Sequence, residues 1–219
     1  MTIKISKNAA IKSFAFNPFS ENTYVLFNDK GNAFLVDPGN FSDSETDLVG
    51  KFITENNLKI QNILLTHAHI DHVLGLQWAF DKFQVPVLMH ELDFEVLQRN
   101  PLSAQQFGFF FKPFEGEIKY IKENDELILD DDTLVVLHVP GHSPGSVAFY
   151  SNAQKFAVSG DVLFEGSIGR TDLYKGDHLQ LLNSIRTKLF TLDDDTKIFN
   201  GHGNPTTIGF EKQYNPFLR

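Results

Sequence analysis

The sequence contains no cysteine, one tryptophan and two methionines among its 219 residues. Without thiols the chain can form neither disulfides nor thiolate-bound metal sites, which excludes a zinc-finger architecture. A bound metal ion must therefore be held by imidazole and carboxylate groups. Lysine and arginine total 19 against 28 aspartates and glutamates, for a formal net charge of -9. This acidic balance disfavours contact with a phosphate backbone, so we expect no nucleic-acid partner.

Long apolar runs are also missing. No stretch approaches the roughly 20 apolar residues that span a bilayer, and residues 1–14 lack the continuous apolar segment of a signal peptide. We therefore expect a cytoplasmic protein without a membrane partner, present as a monomer or a homodimer. Hydrophobic residues make up 42% and charged residues 21% of the chain, which is typical of a globular protein.

Short β-branched and aromatic runs predict strands in both halves of the chain. The predicted strands cover residues 11–16, 23–28, 33–37, 63–66, 87–89, 127–129, 134–138, 147–150, 156–159 and 197–200. Helices are predicted at residues 42–56, with Ser42 or Ser44 as the cap, and at 75–83, 91–99, 178–190 and 208–213. The phenylalanine-rich segment 101–114 has no clear period and is a candidate lid. Two successive strand-then-helix halves indicate a layered α/β fold, in a single domain over residues 1–219.

The string THAHIDH carries the strongest chemical signal. It places His67, His69, Asp71 and His72 within six positions, directly after a predicted strand. On a loop leaving a strand, such neighbours converge on one volume at little cost in chain entropy. Three of the eight histidines fall in this string, so a solvated polar loop is the weaker interpretation and the cluster predicts a metal site.

Three later segments each place a further metal-ligand type at the end of a predicted strand. HVPGHSPGS contains His142, SGDVLF contains Asp161, and FNGHGNP contains His202. Open α/β proteins gather binding groups at such strand ends. A lone histidine or aspartate in a turn often only bonds the backbone, so it is the joint occurrence of the three that predicts a shared site.

The order of these residues is similar to the signature of the metallo-β-lactamase superfamily. That order is H-x-H-x-D-H, then a distant histidine, an aspartate and a final histidine. The segments PGHSPGS, SGDVLF and GSIGRTD resemble its glyoxalase II and persulfide dioxygenase branches. The ending GHGNPTTIGFEKQYNPFL resembles the short bacterial glyoxalase II, or hydroxyacylglutathione hydrolase, type. The resemblance implies the metallo-β-lactamase fold, a four-layer αββα sandwich that is α/β in class, or α+β in some schemes, with metals at one edge of the sheets.

Carried over motif by motif, the resemblance implies two divalent metal ions. His67, His69 and His142 are expected to bind the first ion. Asp71, His72 and His202 are expected to bind the second, with Asp161 bridging both. Imidazole with carboxylate suits zinc, iron or manganese, and zinc is our first choice.

The implied chemistry is hydrolysis by a metal-bridged hydroxide, with Asp71 and Asp161 as the catalytic residues. Two neighbouring cations lower the pKa of a shared water to about 7. A thiolate leaves without prior protonation, because the pKa of its conjugate acid is about 8.5. We therefore expect a small acyl thioester such as S-lactoylglutathione as the substrate. Asp71 acts either as a ligand or as a general base.

Two further residues have candidate roles beside the metals. Asp37, in FLVDPG, is expected to orient a ligand histidine, the alternative being a plain Asp-Pro-Gly turn. Arg170, in GSIGRTD, matches the position of a basic residue that contacts the glutathione part of the substrate in glyoxalase II. The alternative for Arg170 is an ion pair with Asp172 that shapes the loop. His90, His138 and His178 lie outside the motif and are assigned structural or surface roles.

Other functions remain open on the same residues. A persulfide dioxygenase would hold one iron with the 2-His-1-carboxylate set His67, His142 and Asp161. A lactonase or β-lactamase would direct the same hydroxide at another acyl group. A non-catalytic binding domain is disfavoured, because like charges gathered without a metal would repel one another.

Overall fold

A seven-stranded sheet forms the first half of the protein in a computed structural model that describes residues 2–5 and 8–219. Its strands β1 to β4 pair antiparallel, and β4 to β7 pair in parallel. In spatial order they are β1 (Thr2–Lys4), β2 (Ala9–Phe16), β3 (Glu21–Asn28), β4 (Asn32–Val36), β5 (Lys59–Leu64), β6 (Val87–His90) and β7 (Ile118–Ile121).

A second, six-stranded sheet follows, accompanied by a small hairpin. The sheet contains β8 (Glu126–Leu129), β9 (Asp132–His138), β10 (Val147–Ser151), β11 (Phe156–Gly160), β14 (Lys197–Asn200) and β15 (Thr206–Thr207), and the hairpin consists of β12 (Leu163–Phe164) and β13 (Ser167–Ile168). The spatial order is β15-β14-β11-β10-β9-β8. The β11–β14 pair is parallel, and the helical connection between these two strands makes that pairing possible.

In the part of the chain that the structure describes, six α-helices cover the outer faces of the two sheets. The helices α1 (Asp43–Glu55), α2 (Ile70–Val73), α3 (Leu76–Phe83) and α4 (Phe94–Gln106) belong to the first sheet, and α5 (His178–Thr187) and α6 (Ile208–Tyr214) belong to the second. None of the helices in residues 2–5 and 8–219 combines the length and apolar character needed to cross a membrane.

Alternation along the buried strand β4 shows how the layers are built. Ala33 and Leu35 pack with the helices of the first sheet, whereas Phe34 and Val36 face the second sheet. Side chains alternate across a strand, so a strand covered on both faces is apolar throughout. With a third cluster between the second sheet and its helices, the chain forms helix, sheet, sheet and helix layers, and the predicted αββα sandwich is confirmed.

The layer between the two sheets is rich in aromatic rings. Tyr24 and Phe156 both meet Phe199 edge to face, with ring centroids 5.9 and 6.0 Å apart. The Tyr24 hydroxyl donates to the carbonyl oxygen of Asn200 at 2.6 Å, so its polar end is satisfied inside the core. This contact ties β3 to the end of β14, where one of the predicted site residues follows.

Helix α1 begins where its sequence predicts. Ser42 is the N-cap, its side chain accepts from the Glu45 backbone, and the Glu45 carboxylate accepts from the Ser42 backbone. This reciprocal capping box satisfies two backbone donors at the helix start. Ser42 rather than Ser44 is therefore the N-cap. The helix ends at Glu55, with Asn56 as its C-cap.

The structure corrects several predicted boundaries. Helix α4 continues through Pro101 to Gln106, so the irregular segment predicted for residues 101–114 is wrong in its first half. Burial of Ala104 in the first-sheet core favours the added turn despite the hydrogen bond that proline removes. The strand predicted at residues 63–66 is β5, which ends at Leu64, and α2 follows on the loop that carries THAHIDH. The short strands β1, β7, β12, β13 and β15 were not predicted.

Candidate metal centre

All seven predicted ligands lie at one edge of the two sheets. Residues 67–72 follow β5, His142 follows β9, Asp161 follows β11 and His202 follows β14. Each ligand is thus delivered by a loop or a helical turn at the end of a strand. Glycine is required beside the last of them, because a Cβ on Gly201 would lie 2.0 Å from Asp161 Oδ1.

Three imidazoles form a first triad, His67, His69 and His142. His142 Nε2 lies 2.8 Å from His69 Nδ1 and 3.2 Å from His67 Nε2. The potential ligand atoms of the three residues lie within 4.8 Å of one another. Three ring nitrogens therefore face a common point.

A second triad contains Asp71, His72 and His202, again with its potential ligand atoms within 4.8 Å of one another. Asp71 Oδ2 lies 3.1 Å from His202 Nε2 and 3.8 Å from His72 Nε2. Unlike the first, this triad contributes a carboxylate.

Asp161 lies between the triads. Its Oδ2 is 3.5 Å from His142 Nε2 in the first triad and 3.4 Å from His202 Nε2 in the second. Its Oδ1 is 3.4 Å from His72 Nε2. One carboxylate therefore reaches both groups of ligand atoms.

The outer nitrogens of four histidines bind oxygen atoms and thereby set the tautomers. His142 Nδ1 lies 2.7 Å from the Arg170 carbonyl, and His202 Nδ1 lies 3.0 Å from the Phe19 carbonyl. Because a carbonyl only accepts, both Nδ1 atoms carry a proton and both Nε2 atoms face into the site.

The other two outer nitrogens are oriented through one carboxylate, that of Asp37. His72 Nδ1 lies 3.0 Å from Asp37 Oδ2. Thr66 donates its hydroxyl to the same oxygen at 2.6 Å and lies 3.1 Å from His67 Nδ1. Asp37 thus contacts one imidazole directly and a second through Thr66, the arrangement that commonly orients metal-binding histidines.

The inward-facing atoms fit a divalent cation. Within residues 2–5 and 8–219, the buried atoms His72 Nε2 and Asp161 Oδ1, which face each other in the site, have no hydrogen-bond partner. Lone pairs aimed at one another cannot satisfy each other without a proton or a cation between them. Imidazole and carboxylate are the ligand types that zinc and iron accept, so the chemistry and the geometry of the cluster suit metal ions.

The protonation preferences differ between the triads. Burial, with the neighbouring His142, lowers the pKa of His69 to about 3, so its imidazole stays neutral and able to bind a metal. Burial also acts to lower the pKa of His202, but hydrogen bonds to Asp161 and Asp71 raise it to about 10. Without a cation the second triad therefore holds a proton in its place, and metal binding there must release it.

Two buried acids that the sequence analysis did not single out support these loops. Asp93 accepts from the backbone of Ala68 and of Gly145 and from the Ser143 hydroxyl, each at 2.6 Å. It thereby joins the loop of His67 and His69 to the loop that follows His142. Glu21, fully buried, accepts from the Thr23 hydroxyl at 2.9 Å and lies 3.8 Å from His72 Nδ1. Only the folded chain brings these acids to the site.

A cavity of about 810 Å³ opens over the ligands. Its lining includes Asp71, Asp161 and His202, together with apolar side chains and two arginines. Apolar and aromatic lining residues are Phe19, Ile70, Val96, Leu102, Phe107, Phe164, Ile168, Leu173 and Tyr174. Arg170 reaches this wall, and its guanidinium pairs with Asp172. A space of this size accommodates a small organic substrate.

The fold and the site together define a class of protein, an αββα sandwich with a histidine and aspartate cluster at one edge of its sheets. The family model of the Metallo-beta-lactamase superfamily matches residues 16–202, and the chain belongs to this superfamily. It is 40% identical to the hydroxyacylglutathione hydrolase GloC of Haemophilus influenzae over 202 residues, covering 91% of this chain and 93% of that protein.

Two solved structures share both sequence and fold with the chain. The B3 metallo-beta-lactamase BLEG-1 is 39% identical, with a TM-score of 0.84 over 95% of this chain and 99% of the other. The protein TTHA1623, solved in a di-iron-bound form, is 35% identical, with a TM-score of 0.86 over 94% of this chain and 100% of the other. The superfamily resemblance predicted from the sequence is thereby confirmed.

Proposed function

We propose that this protein is a metal-dependent hydrolase of small acyl thioesters such as S-lactoylglutathione. The observation that carries the proposal is the position of Asp161, whose two oxygens lie 3.4 to 3.5 Å from nitrogens of both triads. A carboxylate shared in this way suits two neighbouring cations, and two-cation sites are typical of hydrolytic enzymes.

In this proposal His67, His69 and His142 would hold one ion and Asp71, His72 and His202 the other, with the carboxylate of Asp161 in reach of both. When bound, the two ions polarise the acyl carbonyl and lower the pKa of water. The relative TTHA1623 in its di-iron form supports a two-ion centre. Zinc is our first choice of metal, and iron and manganese also suit these ligands.

The side chains around the ions have distinct tasks in the proposed reaction. Asp71 and Asp161 both line the cavity. Burial opposes ionisation of Asp71, but His72 and the hydrogen bond from His202 lower its pKa, so it is a carboxylate at neutral pH. As such it can hold a cation or accept a proton from water.

The choice of a thioester rests on relatives and on leaving-group chemistry. The GloC protein at 40% identity is named a hydroxyacylglutathione hydrolase. A thiolate departs without a general acid, and the cavity wall offers no lysine for that task among the residues that the structure describes.

A second candidate function uses part of the same site. His67, His142 and Asp161 form a 2-His-1-carboxylate set, the arrangement of mononuclear iron oxygenases. His142 Nε2 lies 3.2 Å from His67 Nε2 and 3.5 Å from Asp161 Oδ2. A persulfide dioxygenase would use this set alone and leave the second triad without a catalytic task.

Rates on a panel of substrates test the proposal. We expect S-lactoylglutathione to be hydrolysed faster than an acyl-homoserine lactone or a β-lactam, the latter included because BLEG-1 is a metallo-beta-lactamase. Negligible thioester turnover beside rapid lactone or β-lactam turnover would refute the thioester assignment. Oxygen uptake on glutathione persulfide, with one iron per chain, would favour the dioxygenase instead.

A further inference from the structure

Two arginines line the cavity, but their guanidinium groups are in different states. Arg170 Nε lies 2.7 Å from Asp172 Oδ1, and Arg170 Nη2 lies 2.8 Å from Asp172 Oδ2. These two hydrogen bonds use the pair of guanidinium donors that would otherwise bind a substrate carboxylate. Its charge is offset within its own loop, so Arg170 is poorly suited to bind an anionic substrate.

Arg99 projects from α4 on the same cavity and has no such partner. Its guanidinium carbon lies 3.9 Å from the ring centroid of Tyr174. Across residues 2–5 and 8–219, no carboxylate comes within salt-bridge distance of its nitrogens, and no hydrogen bond engages them. Stacking restrains the plane of a guanidinium but leaves its edge donors free.

The ring beneath Arg99 is itself held in place from α4. The Tyr174 hydroxyl donates to Glu95 Oε1, and Lys175 Nζ binds Glu95 Oε2. Glu95 lies one helical turn before Arg99, so helix and loop meet at this point. Lys175 pairs directly with Glu95, as Arg170 does with Asp172, whereas Glu95 acts on Arg99 only through charge attraction at longer range. Among the described residues, the guanidinium of Arg99 therefore has no direct ion-pair partner.

We propose that Arg99, stacked on Tyr174, binds a carboxylate of the substrate at a distance from its thioester carbonyl. This inference rests on the proposed function and narrows it to anionic thioesters. The planar fork of arginine matches a carboxylate, and the stacked arrangement restrains the side chain before the ligand arrives, which lowers the entropic cost of binding. Arg170, in contrast, shapes its loop through Asp172.

Kinetics on two thioesters with the same acyl group test this assignment. The substrates are S-lactoylglutathione, which carries two carboxylates, and S-lactoyl-N-acetylcysteamine, which carries none. We expect Arg99→Met to raise KM for the glutathione thioester about tenfold, the effect of losing a charged hydrogen-bonded contact, with kcat little changed. The neutral thioester should be unaffected. Arg99→Lys should recover only part of the loss, because the planar fork is missing.

Three matched variants sharpen the result. Arg170→Met should change KM for the glutathione thioester less than Arg99→Met does, and Arg186→Met, on the exposed side of α5, should not change it. Tyr174→Ala should reproduce part of the Arg99→Met effect, because it removes the ring on which the guanidinium stacks. A larger effect from Arg170→Met than from Arg99→Met would overturn the proposal.

A binding measurement separates this inference from the proposed function. Calorimetric titration of the metal-loaded protein with S-methylglutathione should give a dissociation constant about tenfold weaker for Arg99→Met than for wild type. If no thioester is hydrolysed but this difference appears, the hydrolase proposal fails and the Arg99 site stands. Equal dissociation constants, or equal losses by Arg99→Met on the charged and neutral thioesters, would refute the Arg99 site alone.

Discussion

The two triads at the sheet edge differ in charge and in access to solvent. The first is made only of imidazoles, and His67 and His142 are 1% and 2% exposed. The second includes a carboxylate, and the His202 side chain is 28% exposed. His69 and His142 line the cavity, as Asp71 and His202 do, so both triads are open to it. The first offers a cation neutral lone pairs, whereas the second adds negative charge and the more exposed histidine. One centre thus contains two unequal positions.

The supports of the site differ as well. Asp37 bonds His72 directly and reaches His67 through Thr66, so it acts on the ligand rings. Asp93 bonds the backbone at Ala68 and Gly145, so it acts on the loops. Asp37 therefore orients the imidazole rings, whereas Asp93 fixes the main chain of the loops that carry them.

Replacement of Asp161 should have the largest effect, since it is the residue that the two triads share. We expect Asp161→Ala to lower kcat/KM by about a thousandfold or more, equivalent to the several kcal/mol that two clamped cations supply. Metal content should fall at both positions. The thermal midpoint of the metal-free protein should change little, because the sheet cores do not include this side chain; an equal loss of stability and activity would contradict this.

Removal of one ligand from each triad should show whether the two metal positions differ in affinity. We expect His69→Ala and His202→Ala each to lose about one metal equivalent per chain, with large losses of activity, because each cation keeps too few protein ligands. In wild type, the ion of the second triad should leave first during stepwise chelation, because a proton on His202 competes with that ion. Elemental analysis at each step of the chelation measures this order. Simultaneous loss of both ions from wild type would argue against two distinct positions.

The supporting acids should respond differently to loss of charge. Asp37→Asn should weaken metal affinity by about 10- to 100-fold, the usual cost of removing a partner that orients a ligand. Asp93→Asn should instead lower the free energy of unfolding by about 1–3 kcal/mol, because the new amide cannot accept from all three donors. Metal titration and denaturant unfolding of both variants measure the two effects, and identical profiles would remove the distinction.

The smallest expected effect concerns His90, the last residue of β6, which belongs to neither triad. Its ring stacks on that of His138 at 4.1 Å, and burial, with this neighbour, lowers the pKa of His90 from 6.5 to about 4. Between these pH values the unfolded chain binds more protons than the folded one, so stability falls as the pH falls from 6.5 towards 4.

His90→Asn should make this decline shallower, because asparagine keeps an acceptor for the Leu92 backbone but does not titrate. Unfolding of the metal-loaded wild type and variant at several pH values measures the difference. Parallel stability profiles would show that His90 does not contribute.

Much of the site was predictable because its ligands are concentrated in sequence or follow strands. THAHIDH gives four of the seven groups in one string, and the structure brings His142, Asp161 and His202 to the same edge. Asp93 was not predictable in this way. Its role depends on tertiary contacts with Ala68 and Ser143, 25 and 50 residues away, and nothing in the local pattern HELDFE indicates them.

The fold shows the same division between local and distant information. The capped start of α1 was predictable from Ser42 and Glu45, which lie three residues apart. The course of α4 past Pro101 was not, because the helix propensity of proline opposes it and only packing of Ala104 in the core favours it. Likewise, the unpaired state of Arg99 depends on how helix and loop meet across the cavity.

The most direct test of a metal-dependent hydrolase is the number of metal ions per chain, measured by elemental analysis together with thioester hydrolysis before and after chelation. A two-ion hydrolytic centre predicts about two divalent ions per chain, loss of activity on their removal and its return on their restoration. Undiminished hydrolysis by protein stripped of metal would contradict it.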